Sequence, residues 1–328
     1  KIIKSRLGSI PAAVSPRPRP VYDVPDQPGT RYTIATDPEA TGTTVGVSTT
    51  MAARDQTTLG AYRQQMIERI FSGLLSARLS EMAQKPGAPF LDAQTNRGIF
   101  VQSAEATTLI ALVADGGVEK GLAALFAEAD RVAKFGFTQT ELDRYRLTML
   151  KFFEQLAASK DEHTSESLAD EFIRNFMQRE PIPGIAYEYA LVRRFMPEVT
   201  LADVNSLAGD WVPDRNRVVA VTAPRKDGVA VPTEAALAAV IKNAGAGALT
   251  AYVDTVSATP LTAFLIPTAV QLPVYAVVAL AYKTSAPLGS WGPALGLSLF
   301  DDSMLLAQSQ VVNTKAAAPN VSLTKVNN

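Results

Sequence analysis

Cysteine is absent from the 328 residues, and histidine occurs once. The first absence excludes disulfides, thiolate zinc sites and cysteine nucleophiles, although it chooses no compartment. The second excludes any site built from two or three imidazoles within this chain. A surplus of either charge is also missing. Against 31 basic residues stand 32 acidic ones, a formal net charge of −1, so no global field draws in nucleic acid or an anionic membrane. No glycine-rich phosphate loop is present, because the run Gly245-Ala246-Gly247 follows a predicted helix rather than a strand. The opening KIIKSRLGSIPAA lacks the apolar core of a signal peptide and reads as the last turn of a helix entering a linker. With no initiator methionine, the chain reads as a fragment or a processed product. Residues 263–282 carry no charge, but Pro267, Thr268, Gln271 and Pro273 interrupt them. A buried strand or a linker is expected there rather than a membrane span.

What is present is strong patterning. Residues 15–29, SPRPRPVYDVPDQPG, are proline-rich and read as an extended linker. Strands are predicted at 31–36 and 43–52, with turn chemistry between them. Apolar residues from Leu59 to Met82 recur at three and four, predicting a long helix. Leu74 and Phe71 lie on its stripe. Replacing Leu74 by Ala is expected to cost about 2–5 kcal/mol, and replacing Arg78, read as bordering a corner, much less.

An antiparallel pair is predicted at 98–103 and 107–114, then a helix over 118–134. Thr138 and Glu141 form a capping-box pattern before a helix carrying Leu142, Tyr145, Leu147, Leu150 and Phe153. A helix over 165–178 should turn Leu168, Phe172, Ile173 and Phe176 inward. Another helix covers 186–196, the TLAD at 200–203 caps a short one, and 217–224 is a buried strand. This order predicts an α+β fold: a mainly antiparallel sheet with helices packed on one face. Four segments result. Residues 1–29 are the end of a preceding domain plus the linker, 30–225 the α+β domain, 226–262 a helical linker, and 263–328 a tail of unassigned structure.

Candidate chemistry is sparse. His163 sits in the polar turn SKDEHTSES and reads as a solvated loop histidine. The pairs Asp161/Glu162 and Asp170/Glu171 are adjacent rather than helically spaced, so each points to different faces. Arg17 and Arg19 read as linker residues. By residue chemistry alone no catalytic, cofactor-binding or metal-binding residue is expected.

Several consecutive words carry a resemblance. The stretches GTRYTIATDPEATGTTVGV, DQTTLGAYRQQMIERIFSGLLSARLSEMAQKPGAPF, FAEADRVAKFGFTQTELDRYR, REPIPGIAYEYALVRRFMPEVTLADVN and RVVAVTAP together resemble the pitrilysin/insulinase family of zinc metallopeptidases. The likeness runs to about residue 267. It implies the second, non-catalytic domain of the N-terminal half of a two-half enzyme. The family's zinc motif, an inverted His-x-x-Glu-His plus a distal glutamate, belongs to the preceding domain. Nothing here matches it, so zinc is implied for a full-length enzyme and for no residue of this chain.

The family's substrate-positioning domains carry an arginine, then a tyrosine seven residues later, at the corner after the long helix. Those positions fall near Ala83 and Phe90, which lack the donors. The corner is expected to be frame, with Phe90 in the core. The resemblance implies a wall of a peptide-enclosing chamber. Its partners would be a zinc-bearing catalytic domain and a C-terminal half of the same enzyme, or a homologous subunit, together with peptide substrates. It also implies a bacterial periplasmic or cell-envelope site. A catalytically silent partner subunit or peptide-binding module is the alternative.

Overall fold

Alternation of side chains in Thr30–Asp37 (β1) and Thr43–Ala52 (β2) puts Tyr32, Ile34, Val45 and Val47 on one side. The computed structural model describes residues 2–255 apart from 12, 13, 16, 18, 19, 163, 229, 245 and 246. His163 and residues 263–328 therefore lie outside the described residues. After a short helix at Ile2–Leu7 (α1) and the two strands come the long helix Leu59–Ala83 (α2), the hairpin Asp92–Val101 (β3) and Ala104–Val113 (β4), and the helices Val118–Phe135 (α3) and Gln139–Ala158 (α4). Ser165–Gln178 (α5), Ile185–Phe195 (α6), Leu201–Asn205 (α7), strand Arg217–Pro224 (β5) and Glu234–Ala244 (α8) complete the order. Lys1–Asp254 form one compact unit.

The sheet runs β1-β5-β2-β4-β3. The β2–β5, β2–β4 and β3–β4 pairs are antiparallel and β1–β5 is parallel. This is the expected α+β architecture. The buried face carries Val45, Val47, Ala93, Leu109, Ala111, Val113, Val219 and Val221, against which α2 and α3 pack. The other face carries Thr44, Ser48, Asn96 and Thr222 together with Ile110, Leu112 and Val218.

The helix α2 begins where Thr58 accepts from the Ala61 amide (3.1 Å). It lies between the sheet on one side and α4 and α7 on the other, so its buried residues spread around the cylinder from Met66 to Leu79. Gly73 lets α4 come close: a Cβ there would lie 2.1 Å from the Tyr145 ring. Both capping boxes form. Glu141 accepts from the Thr138 amide (2.7 Å), and Asp203 accepts from the Thr200 amide (2.8 Å).

Three expectations need correction. Strand β3 starts at Asp92, well before the predicted residue 98. Its first half, DAQTNR, buries only Ala93 and Thr95 and so lacks an apolar signal. The second concerns α5. Leu168, Phe172, Ile173 and Phe176 do not turn inward; they are 42–69% exposed and no residue of the helix is buried. Leu147 of α4 is likewise exposed. The third is Arg78, which does not border the corner but lies inside the core at 2% exposure. The segment after β5 also packs. Leu237 of α8 is fully buried, with α8 against α3, and the chain then returns to lay Tyr252 over Arg78 (4.1 Å).

Candidate functional site

Where α2 leaves Thr58, its first four turns run beside the second half of β3, and α5 and α6 stand opposite. Between them opens a cleft of about 790 Å³. Gln65, Glu68, Arg69 and Ser72 come from α2, Asn96 to Ile99 from β3, and Glu171, Arg174 and Gln178 from α5. Pro181, Pro183, Tyr187 and Glu188 close the far side.

A four-residue ionic cluster forms its inner end. Arg54 donates to both Glu68 oxygens (2.6 and 2.8 Å) and to Glu105 through Nε and Nη2 (2.6–3.2 Å). The Arg54 amide also donates to Glu105 (3.0 Å). Arg97 completes the cluster at 3.4 Å from Glu68 and 3.8 Å from Glu105. Glu68 and Glu105 are buried, and two carboxylates at such depth require two matched cations. Hydrogen bonds to Glu68, ahead of the other influences, hold the Arg54 guanidinium above its ordinary range. With the Arg54 donors committed to the two glutamates, that side of the cluster is an architectural floor, whereas Arg97 Nε is buried without a hydrogen-bond partner among the described residues.

The edge of β3 is different. Ser76 on α2 accepts from the Thr95 amide (3.0 Å) and donates to the Thr95 carbonyl (3.3 Å). Those main-chain groups therefore face away from β4. By the alternation of a strand, the N–H and C=O of Arg97 and Ile99 face the same way, into the cleft. This is an open template two residues past the point where Ser76 stops it.

Across the cleft Tyr62 donates to Glu188 (3.3 Å). Burial pushes the Glu188 carboxyl up, with Arg69 and Tyr62 opposing. A carboxyl with a higher pKa folded than unfolded adds stability below its unfolded value and loses that contribution as pH rises through the folded one. Glu188→Gln should therefore leave the melting temperature unchanged in acid and raise it relative to the parent above the folded pKa. Thermal melts across pH check this; a gain present in acid as well would place the effect elsewhere.

The residues singled out in the sequence gather nowhere. Ala83 is half-buried against the core and Phe90, at 2% exposure, lies within it. Asp161 and Glu162 are exposed in a 3-10 turn, and Asp170 is exposed on α5. Of these residues only Glu171 reaches the cleft. The residues that build the cleft were missed because 54, 68, 97 and 105 share no spacing. One signal was available: Glu68 sits inside the apolar run Met66-Ile67-Glu68-Arg69-Ile70. Among the described residues no three histidine, cysteine, aspartate or glutamate side chains converge as metal ligands. No described helix is long and apolar enough to cross a membrane.

No family model matches the chain. Over 204 residues, 62% of its length, it is 28% identical to the zinc protease PQQL-like of Arabidopsis thaliana. Over 169 residues it is 25% identical to the probable zinc protease PqqL of Haemophilus influenzae. The chain spans 18% of the length of each of these curated relatives. Among solved structures, the first half of the periplasmic protease PqqL from Escherichia coli superposes with a TM-score of 0.69 at 18% identity, covering 77% of this chain and 54% of that one. A predicted insulinase family protease from Yersinia pestis gives 0.62 at 12% identity, covering 74% and 52%. In sequence the chain is thus a relative of the PqqL zinc proteases, and in fold it is a domain of the pitrilysin/insulinase type.

Proposed function

We propose that this chain is the non-catalytic domain of a zinc endopeptidase, packing against a zinc-bearing domain and forming part of the wall around an enclosed peptide. The observation that carries the reading is the open edge of β3 in the cleft, within a fold shared with proteases. An extended peptide can add to such an edge by main-chain hydrogen bonds. In the longer protein, zinc-assisted attack of water on a peptide bond belongs to the companion domain. Here α2, β3 and α6 only bind and orient chain. A silent peptide-binding subunit is the second reading, favoured by the same edge, and differs in needing no zinc-bearing domain for binding. The Escherichia coli relative is periplasmic, which supports a cell-envelope location.

Two measurements on the full chain test this. After dialysis it should retain no stoichiometric zinc and cleave no quenched peptide, with His163→Ala changing neither, since hydrolysis needs about three protein ligands and an open position. Tightly bound zinc, or chelator-sensitive turnover lost in His163→Ala, would overturn the non-catalytic reading. A labelled extended peptide should bind, and Ile99→Pro should weaken it, because proline removes a main-chain donor that faces the cleft and is tolerated on an edge strand. Equal binding by both proteins would remove the β3 edge from the account.

A further inference from the structure

The helix α5 has 14 residues, none of them buried. Isolated helices of about 12–15 residues are marginal in water even with good formers, and most owe their order to burial of an apolar stripe. The stripe exists on α5: Leu168, Phe172, Ile173 and Met177 are each more than 40% exposed. Its other side is already engaged. Glu171, Arg174 and Gln178 line the cleft, Arg174 pairs with Glu180 (3.0 Å), and the Met177 carbonyl accepts from Gln102 (2.9 Å). Polar contacts thus fix α5 as one lip of the cleft while its apolar face looks outward.

We propose that this face is a docking surface for a companion domain of the same polypeptide, the zinc-bearing one, offering an apolar groove with a basic rim. The inference rests on the proposed function and adds where the partner sits. Two observations choose the occupant. The chain spans 18% of its curated relatives and 54% of the solved first half of PqqL, so in those proteins a further unit of similar size shares the polypeptide. On the exposed part of the helix stand the acids Glu166 and Asp170, with Asp161 and Glu162 beside Lys160 just before it. A basic rim complements them and an acidic one is repelled. Docking there would hold the lip and so fix the width of the cleft.

Hydrogen exchange on the full chain, alone and with the separately expressed zinc-bearing domain, tests the proposal. Amides of α5 should exchange freely in the chain alone and slow by at least about tenfold on adding the companion. The double variant Phe172→Ser/Ile173→Ser should weaken association by about tenfold or more and leave the chain's own unfolding midpoint unchanged, because neither side chain belongs to the core. Association that leaves α5 unprotected and ignores the double variant would overturn this surface while sparing the proposed function. No association at all would overturn both. Protection that grows with the concentration of the chain alone would assign the face to a second copy. Protection at every dilution would mean that the chain covers it itself. Either result overturns the proposal.

Discussion

Arg78→Ala should destabilise the protein by about 3–5 kcal/mol, the usual effect of removing one partner from a buried ion pair. Arg78 donates to both oxygens of Glu141 (2.7 and 2.9 Å), to Glu128 (3.3 Å) and to the Gly136 carbonyl (3.1 Å). Its guanidinium lies between the Phe137 and Tyr252 rings, at 4.8 and 4.1 Å. Burial opposes its charge, but the Glu141 and Glu128 carboxylates more than restore it, and its pKa is raised. Deletion leaves Glu141 buried with only its capping bonds to Thr138, and Glu128 with Arg131 (2.8 Å). Lysine at this position keeps the charge but loses the fork, so it should rescue little. The melting temperature should fall by on the order of 10 °C, at least as far as for Leu74→Ala, which reverses the order expected from the sequence. Urea titrations of both variants decide the matter. A loss below about 1 kcal/mol at Arg78, typical of exposed pairs, would mean that the cluster is solvated.

Phe71→Ala should cost about 3–5 kcal/mol, as truncating a buried aromatic does. Its ring meets Trp211 at 4.3 Å and Phe137 edge-on at 5.2 Å. Trp211 in turn donates its indole N–H to the Thr95 hydroxyl (2.9 Å). Phe71 therefore joins α2, the α3–α4 turn and the segment before β5 to the sheet. Its removal should also loosen Trp211, seen as lost near-ultraviolet dichroism in the still-folded protein. Phe71→Leu should recover part of the stability, since much of the volume returns. An unchanged aromatic signal in Phe71→Ala would show that Thr95 alone positions the indole.

Much of the frame was legible because it is local. Thr138 with Glu141 and Thr200 with Asp203 announced two helix starts, and β-branched alternation announced β1, β2 and β5. What escaped depends on residues far apart in the chain. Arg78 between Leu75 and Leu79 looks like a stray polar residue on a stripe until Glu128 and Glu141 are placed beside it. The capping box at Glu141 was readable, but its second role as the partner of Arg78 was not. The face of α5 was misjudged for the opposite reason. Periodicity reports that a stripe must be covered and is silent on which molecule covers it. The cleft draws on α2, β3, β4, α5 and α6 at once, so no window of sequence contains it.

The place of β5 has a consequence for how the protein comes to be made. β1 and β2 are consecutive in the chain, yet β5 lies between them, and Asn216 just before it ties back to the Gln27 amide and Asp26 (both 2.7 Å). During synthesis β1 has no ladder partner and β2 keeps one open edge until residues 217–224 leave the ribosome. A nascent or prematurely terminated chain ending before Arg217 leaves β1 unpaired and that edge of β2 bare, where a strand from another molecule can add. Such truncated forms should depend on chaperones and aggregate without them, whereas cuts beyond Asp254 should spare the sheet.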